Sequence, residues 1–147
     1  NYGRIVMTTS PSGLYGNFGQ TNYGAAKLGL VGFMNTLKIE GAKNNIHTNA
    51  IAPVALTRMT ENLIPEEAAK NLGPELITPA VTFLCSEGAP NGAIVQAAGG
   101  NFSIAAIVEN QGVNLGAEAS ADDVAEAWSK IADLEGAKPR NMLQLGG

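Results

Sequence analysis

Short apolar runs alternate along the chain with longer, mixed segments. Residues 5–9 (Ile-Val-Met-Thr-Thr) are apolar and β-favouring, and they stop at Ser10-Pro11-Ser12-Gly13, a cluster of turn residues. A glycine-rich loop through Gly16, Asn17 and Gly19 follows. From Thr21 the spacing becomes helical. Leu28, Val31, Asn35 and Ile39 do not form a narrow stripe, because Leu30, Phe33, Met34 and Leu37 fill the positions between them. A helix that is apolar most of the way round is covered on more than one side, so residues 21–43 are expected to pack on a sheet and on a second subunit. Gly24, Ala25, Ala26, Gly29 and Gly32 permit close approach along it, and Gly41, Lys43, Asn44 and Asn45 mark its end.

Residues 46–52 read as a second strand closed by Pro53. A loop through Thr57, Arg58, Met59 and Thr60 leads to a short helix at 61–63, and Pro65-Glu66-Glu67 opens another. Residues 79–86 form a further helix, and residues 93–96 a third strand ending at the plain turn Gly99-Gly100. Strands that alternate with helices predict a parallel sheet with crossovers, hence an α/β fold. Residues 1–103 are expected to form this unit. Residues 104–147 differ, with a strand at 104–108 and a mostly helical tail. Ser120 followed three residues later by Asp123 is a helix-start pattern. That helix should run to about Leu134, with Val124, Ala127, Trp128 and Ile131 on one face docked on apolar surface, and Gly136 and Pro139 stop it. Residues 88–92 and 109–119 read as mobile loops.

Composition narrows the classes. The chain is 45% hydrophobic and only 15% charged, against about 25% charged in average chains, which excludes disorder as its main state. A net charge of −4 without a basic run removes the electrostatic basis for nucleic-acid binding. A single cysteine, Cys85, excludes an internal disulfide, and a single histidine, His47, argues against a zinc site. No apolar stretch reaches the ~20 residues that span a bilayer. The expected setting is the cytoplasm or an organelle matrix. A chain that opens directly into a buried strand reads as part of something longer.

The candidate chemistry lies near the start. Tyr23 and Lys27 stand at i and i+4 and share one helical face. Ser10 ends the preceding strand, so one loop brings all three to a crevice at the carboxyl ends of the strands, where open α/β sheets bind ligands. A free phenol ionises near pH ~10, too high for a neutral-pH base, and a nearby ammonium favours the phenolate. Such a tyrosine exchanges a proton with an alcohol or carbonyl, a serine hydroxyl bonds the same oxygen, and a cofactor carries the hydride. Taken singly, each residue has a plainer reading: Ser10 as a strand end, Tyr23 and Lys27 as a helical pair, Arg58 as a surface ion pair. His47 reads as a packed strand residue and Cys85 as core. The lack of a companion for His47 and of a Gly-x-Ser-x-Gly motif argues against a Ser–His–acid hydrolase.

Ser10, the Tyr23-x-x-x-Lys27 motif and the strand Asn49-Ala50-Ile51-Ala52-Pro53 resemble the C-terminal half of short-chain dehydrogenases/reductases. Within that family, the run from Tyr15 to Tyr23, Ile51-Ala52-Pro53, Arg58-Met59-Thr60 and the segment from Asp122 to Ile131 are similar to the 3-hydroxyacyl-CoA dehydrogenase units of peroxisomal multifunctional enzyme type 2. The resemblance implies a Rossmann-type doubly wound parallel sheet, of which only the C-terminal half stands here, with the phosphate loop, the ribose-reading acid and a catalytic Asn encoded earlier. It implies that Ser10 orients the substrate oxygen, that Tyr23 is the acid/base, and that Lys27 binds the cofactor ribose. Pro53 and Thr57 match the loop that holds the nicotinamide, and Val54 departs from the usual Gly there. The implied cofactor is NAD, with NADP as the alternative. The implied substrate is a 3-hydroxyacyl-CoA, and the assembly a homodimer or homotetramer through residues 21–43. Arg58 would contact a CoA phosphate or a substrate carboxylate. Two alternatives stand beside this reading: a non-catalytic assembly module, and a reductase of acyl carrier protein thioesters.

Overall fold

A computed structural model of the protein describes residues 1–57, 67 and 71–139. They form two compact units, Asn1–Ala105 and Ala106–Gly147. Among the described residues no helix is long and apolar enough to cross a membrane.

The first unit is built on a four-stranded sheet. Strand β1 (Gly3–Thr8) leads into a short helix α1 (Pro11–Tyr15), then the long helix α2 (Thr21–Ala42) and strand β2 (Ile46–Val54). A 3₁₀ turn (Pro74–Leu76), helix α3 (Thr78–Leu84), strand β3 (Ile94–Ala98) and strand β4 (Asn101–Ala105) complete it. The order is β1-β2-β3-β4, with the first three strands parallel and β4 antiparallel to β3. Alternate residues of each strand face opposite sides of the sheet. On one side Ala50 and Ile94 meet Val31 and Met34 of α2, with Met7 and Leu14 against them. On the other, Ile51 and Ala97 meet Ala80 of α3. Covering both faces is what a parallel sheet requires. Each fully buried large side chain, such as Met34 or Leu84, contributes about 1.5–3 kcal/mol relative to exposure.

Several local expectations are revised. The Ser10–Gly13 cluster does not end in a plain turn: it starts α1, with Ser10 as N-cap and Pro11 in the first turn, positions both residues favour. Pro53 does not close β2. It lies within the strand, opposite Ala97. There β1 has already ended, its last residue Thr8 pairing with Ile51, so the proline's missing N–H falls where β2 has a neighbour on one side only. Val54 is likewise still in β2, opposite Ala98, and the chain turns away only after it.

Gly99-Gly100 is the two-residue connection of a β3–β4 hairpin, with φ of 55° and 80°. Positive φ at both central residues is the hairpin turn whose twist matches the flanking strands. The sheet therefore gains a strand from Asn101, earlier than the expected one at 104. Cys85 is exposed at the carboxyl cap of α3 rather than in the core. The loop at 88–92 is pinned to β2: Asn49, fully buried, donates to Pro90 O at 2.7 Å and accepts from Ala93 N at 2.9 Å. His47 Nδ1 lies 2.9 Å from Ala89 O in the same loop.

The second unit holds helix α4 (Ala121–Ile131) and a two-stranded pairing of β5 (Val108–Glu109) with β6 (Lys138–Pro139). Helix α4 ends three residues before the expected Leu134, where Asn110 Nδ2 donates to Ile131 O at 2.9 Å. Trp128 is exposed. The short helices expected at 61–63 and from Pro65, together with Arg58, lie outside the described residues.

Candidate active site

The site is assembled at the carboxyl end of β1. Thr8 ends the strand, and Thr9 N still donates to Ile51 O of β2 at 2.8 Å. Ser10 follows. It is 9% exposed, and its Oγ accepts from Ser12 N at 3.2 Å, capping α1. That places the serine hydroxyl at the sheet edge with its own proton still available to donate.

Helix α1 lies directly on the first turns of α2. A Cβ on Gly13 would fall 2.8 Å from Lys27 Cβ and 2.9 Å from Leu28 N, so only glycine permits this approach. A Cβ on Gly24 would likewise stand 3.2 Å from Ser12 O. The first turns of α2 carry Tyr23, 42% exposed, and Lys27, half-buried. The i, i+4 spacing puts them on one face as expected: Lys27 Nζ lies 5.6 Å from the centre of the Tyr23 ring. The ammonium also donates to Thr8 O at 2.9 Å. Thr9 Oγ1 donates to Lys27 O at 2.7 Å. Ser10, Tyr23 and Lys27 are therefore held at one junction, by the strand end on one side and by α1 on the other.

Pro53 belongs to the neighbouring strand β2, and Thr57 lies just beyond it, exposed at the same edge of the sheet. Three residues that sequence reasoning passed over also belong here. Thr9 ties the strand end to Lys27. Tyr15, at the end of α1, accepts a hydrogen bond from Gln96 Nε2 of β3 at 2.7 Å. Gln96 carried a readable signal, since it is the one polar residue in the run Ile94-Val95-Gln96-Ala97-Ala98, and a polar group in an apolar strand needs a partner. An apolar groove of about 410 Å³ between α3 and β4, lined by Phe83, Phe102 and Ile104, has Ser103 as its polar member and holds no ionisable side chain.

A parallel sheet covered on both faces, with a serine, a tyrosine and a lysine placed at its carboxyl edge, is the architecture of a Rossmann-like α/β unit. The chain belongs to the short-chain dehydrogenase/reductase family: residues 1–68 match the family described as short chain dehydrogenase. It is 53% identical over 139 residues to a short-chain type dehydrogenase/reductase of Mycobacterium tuberculosis, covering 94% of this chain and 49% of that protein. It is 46% identical over 156 residues to peroxisomal multifunctional enzyme type 2 of Mus musculus, covering 100% of this chain and 21% of that one. The full-length structure of peroxisomal multifunctional enzyme type 2 from Drosophila melanogaster superposes with a TM-score of 0.85 at 40% identity, over 96% of this chain and 26% of that one. The chain thus spans about half of the mycobacterial relative, by the 49% just given, and a smaller share of the animal enzymes.

Proposed function

We propose that the intact protein interconverts a secondary alcohol and a ketone, with a 3-hydroxyacyl-CoA as the alcohol and NAD as cofactor. The observation that carries this reading is the position of Lys27, whose ammonium is anchored on Thr8 O while it stands beside the Tyr23 ring.

The residues present fit a nicotinamide dinucleotide. An ammonium has three N–H donors. Lys27 directs one to Thr8 O, which leaves two for the hydroxyls of a ribose. Pro53 and Thr57, at the end of the adjacent strand, would hold the nicotinamide end. When bound, that group supplies the hydride acceptor. The chain's own part is proton transfer and orientation. Ser10 Oγ donates to the substrate oxygen and fixes its distance from Tyr23. The Tyr23 oxygen takes the hydroxyl proton as the ketone forms, and returns it in the reverse direction. The Lys27 ammonium stands beside the Tyr23 ring while it does so. The hydroxyacyl-CoA choice is supported by the resemblance to multifunctional enzyme type 2.

Exposed Leu28, Phe33 and Ile39 on α2 support a further part of the reading, assembly of two copies through this helix. Light scattering on the intact protein at micromolar concentration reads it directly, and a monomer would count against it.

The test of the activity mixes the intact protein with a 3-hydroxyacyl-CoA and either NAD or NADP, and follows the absorbance of the reduced nicotinamide. Turnover with NAD is expected, and Tyr23→Phe should lower it by roughly 10²–10⁴-fold with folding preserved. No turnover with either cofactor, or a Tyr23→Phe variant as fast as the wild type, would overturn the proposal.

A further inference from the structure

Gln96 and Tyr15 meet from different elements at the edge where Ser10 stands. The strand register places them. Thr8 pairs with Ile51, and Ile51 with Val95. Gln96, opposite Ala52, is therefore one residue beyond that row, level with Thr9. Its side chain shares a face of the sheet with Ile94, two residues earlier, and Ile94 packs against α2. Leu14 of α1 packs on that same cluster, and Tyr15 is the next residue. The bond from Gln96 Nε2 to Tyr15 Oη, at 2.7 Å, thus spans the end of β2 on the face that carries α1 and α2.

Tyr15 is 65% exposed. An exposed tyrosine needs no protein partner for its hydroxyl, because water supplies one, and fixing its ring costs rotamer freedom. Here the ring is nevertheless tied across a strand. With Gln96 donating into the phenol oxygen, the Tyr15 proton is directed to a second acceptor. Tyr15 ends the five-residue helix whose N-terminus Ser10 caps, so its hydroxyl stands one short helix away from the Ser10 hydroxyl.

We infer that Tyr15, positioned by Gln96, is a substrate-binding residue whose hydroxyl donates to the thioester carbonyl of the substrate while Ser10 and Tyr23 hold its 3-oxygen. This rests on the hydroxyacyl reading above. Tyr15 then sets specificity, because it recognises a carbonyl that a simple secondary alcohol lacks. Gln96 is a positioning residue: it acts through Tyr15 and touches no reacting atom.

The experiment uses the intact protein and its variants Tyr15→Phe, Gln96→Met and the double variant. Each is assayed with a 3-hydroxyacyl thioester and with the matching thioether, which keeps the 3-hydroxyl but has no carbonyl. With the thioester, both single variants should raise KM about tenfold, the scale of one hydrogen bond, with kcat reduced less. The double variant should be no worse than either single one, because the two residues act as a unit. With the thioether, all variants should match the wild type, and cofactor Kd should be unchanged throughout. Equal losses on thioester and thioether would show a merely structural pair and overturn the inference, as would unchanged KM for the thioester. If the wild type fails to turn over the thioester at all, the functional reading falls and this one with it. Normal wild-type turnover with indifferent variants overturns this one alone.

Discussion

Thr9 holds the backbone of Lys27, and Lys27 holds that of Thr8, across the junction of β1 and α2. The Thr9 hydroxyl donates to Lys27 O at 2.7 Å, and the Lys27 ammonium donates to Thr8 O, one residue earlier, at 2.9 Å. Thr9 is 1% exposed, so no solvent competes for its bond. The lysine is thereby fixed at both ends, at its main chain and at its charge. A long, flexible side chain held this way is pre-oriented for whatever approaches Tyr23.

Removing the Thr9 hydroxyl should release that hold. Thr9→Val keeps the shape of the side chain and loses the donor. A single buried hydrogen bond contributes about 0.5–1.5 kcal/mol, and denaturant unfolding of the intact protein should show a loss of that order. Turnover should fall further than folding does, by up to about 10²-fold, since small displacements of a positioning group are costly. Thr9→Ser should restore most of both. Normal turnover in Thr9→Val would mean that Lys27 is placed without it.

The contact of α1 with α2 makes a second, steric prediction. Gly13→Ala introduces a methyl 2.8 Å from Lys27 Cβ and 2.9 Å from Leu28 N. Neither neighbour is the far end of a flexible chain, so the helices must separate. Overpacking of this kind costs about 1–3 kcal/mol. The shift also carries Ser10 away from Tyr23, so Gly13→Ala should lose turnover as well as stability. An unchanged melting temperature would show that α1 is not held against α2 as described.

Much of this site was legible in the residues because its signals are local. Tyr23 and Lys27 needed only helical spacing, and Ser10 only its place at the end of an apolar run. The same locality explains what was missed. Ser10-Pro11 serves equally as a turn and as a helix start, and what decides is the packing of Gly13 on Lys27. Pro53 reads as a strand terminator until the early end of β1 is known. The bond between Tyr15 and Gln96 joins residues far apart in the chain, and only the sheet register brings them together. Cys85 looked like core because its helix is apolar, yet its place at the cap turns it outward.

The helix of the second unit gives a prediction in pH. Asp123 is the third residue of α4, and its carboxylate accepts from the Ser120 hydroxyl at 2.6 Å and from Ser120 N at 2.8 Å. The Ser120 hydroxyl in turn accepts from Asp123 N at 3.2 Å, closing the reciprocal cap that the sequence pattern predicted. The Ser120 side-chain bond first, and its backbone bond second, hold the Asp123 carboxyl below the usual aspartate range, against a small opposing effect of burial. A lowered value means that folding favours the charged form. The contribution is therefore complete above the ordinary aspartate range and is lost as pH falls through the lowered value. A carbon-detected NMR titration of the Asp123 carboxyl in the intact protein should show this low midpoint. Ser120→Ala removes the first of the two bonds and should move the midpoint back up, with fraying of the first turn of α4. Asp123→Asn should lose the acid-dependent part of that fraying, because the amide does not titrate. A wild-type midpoint at or above the ordinary aspartate value would show that the cap does not favour the carboxylate.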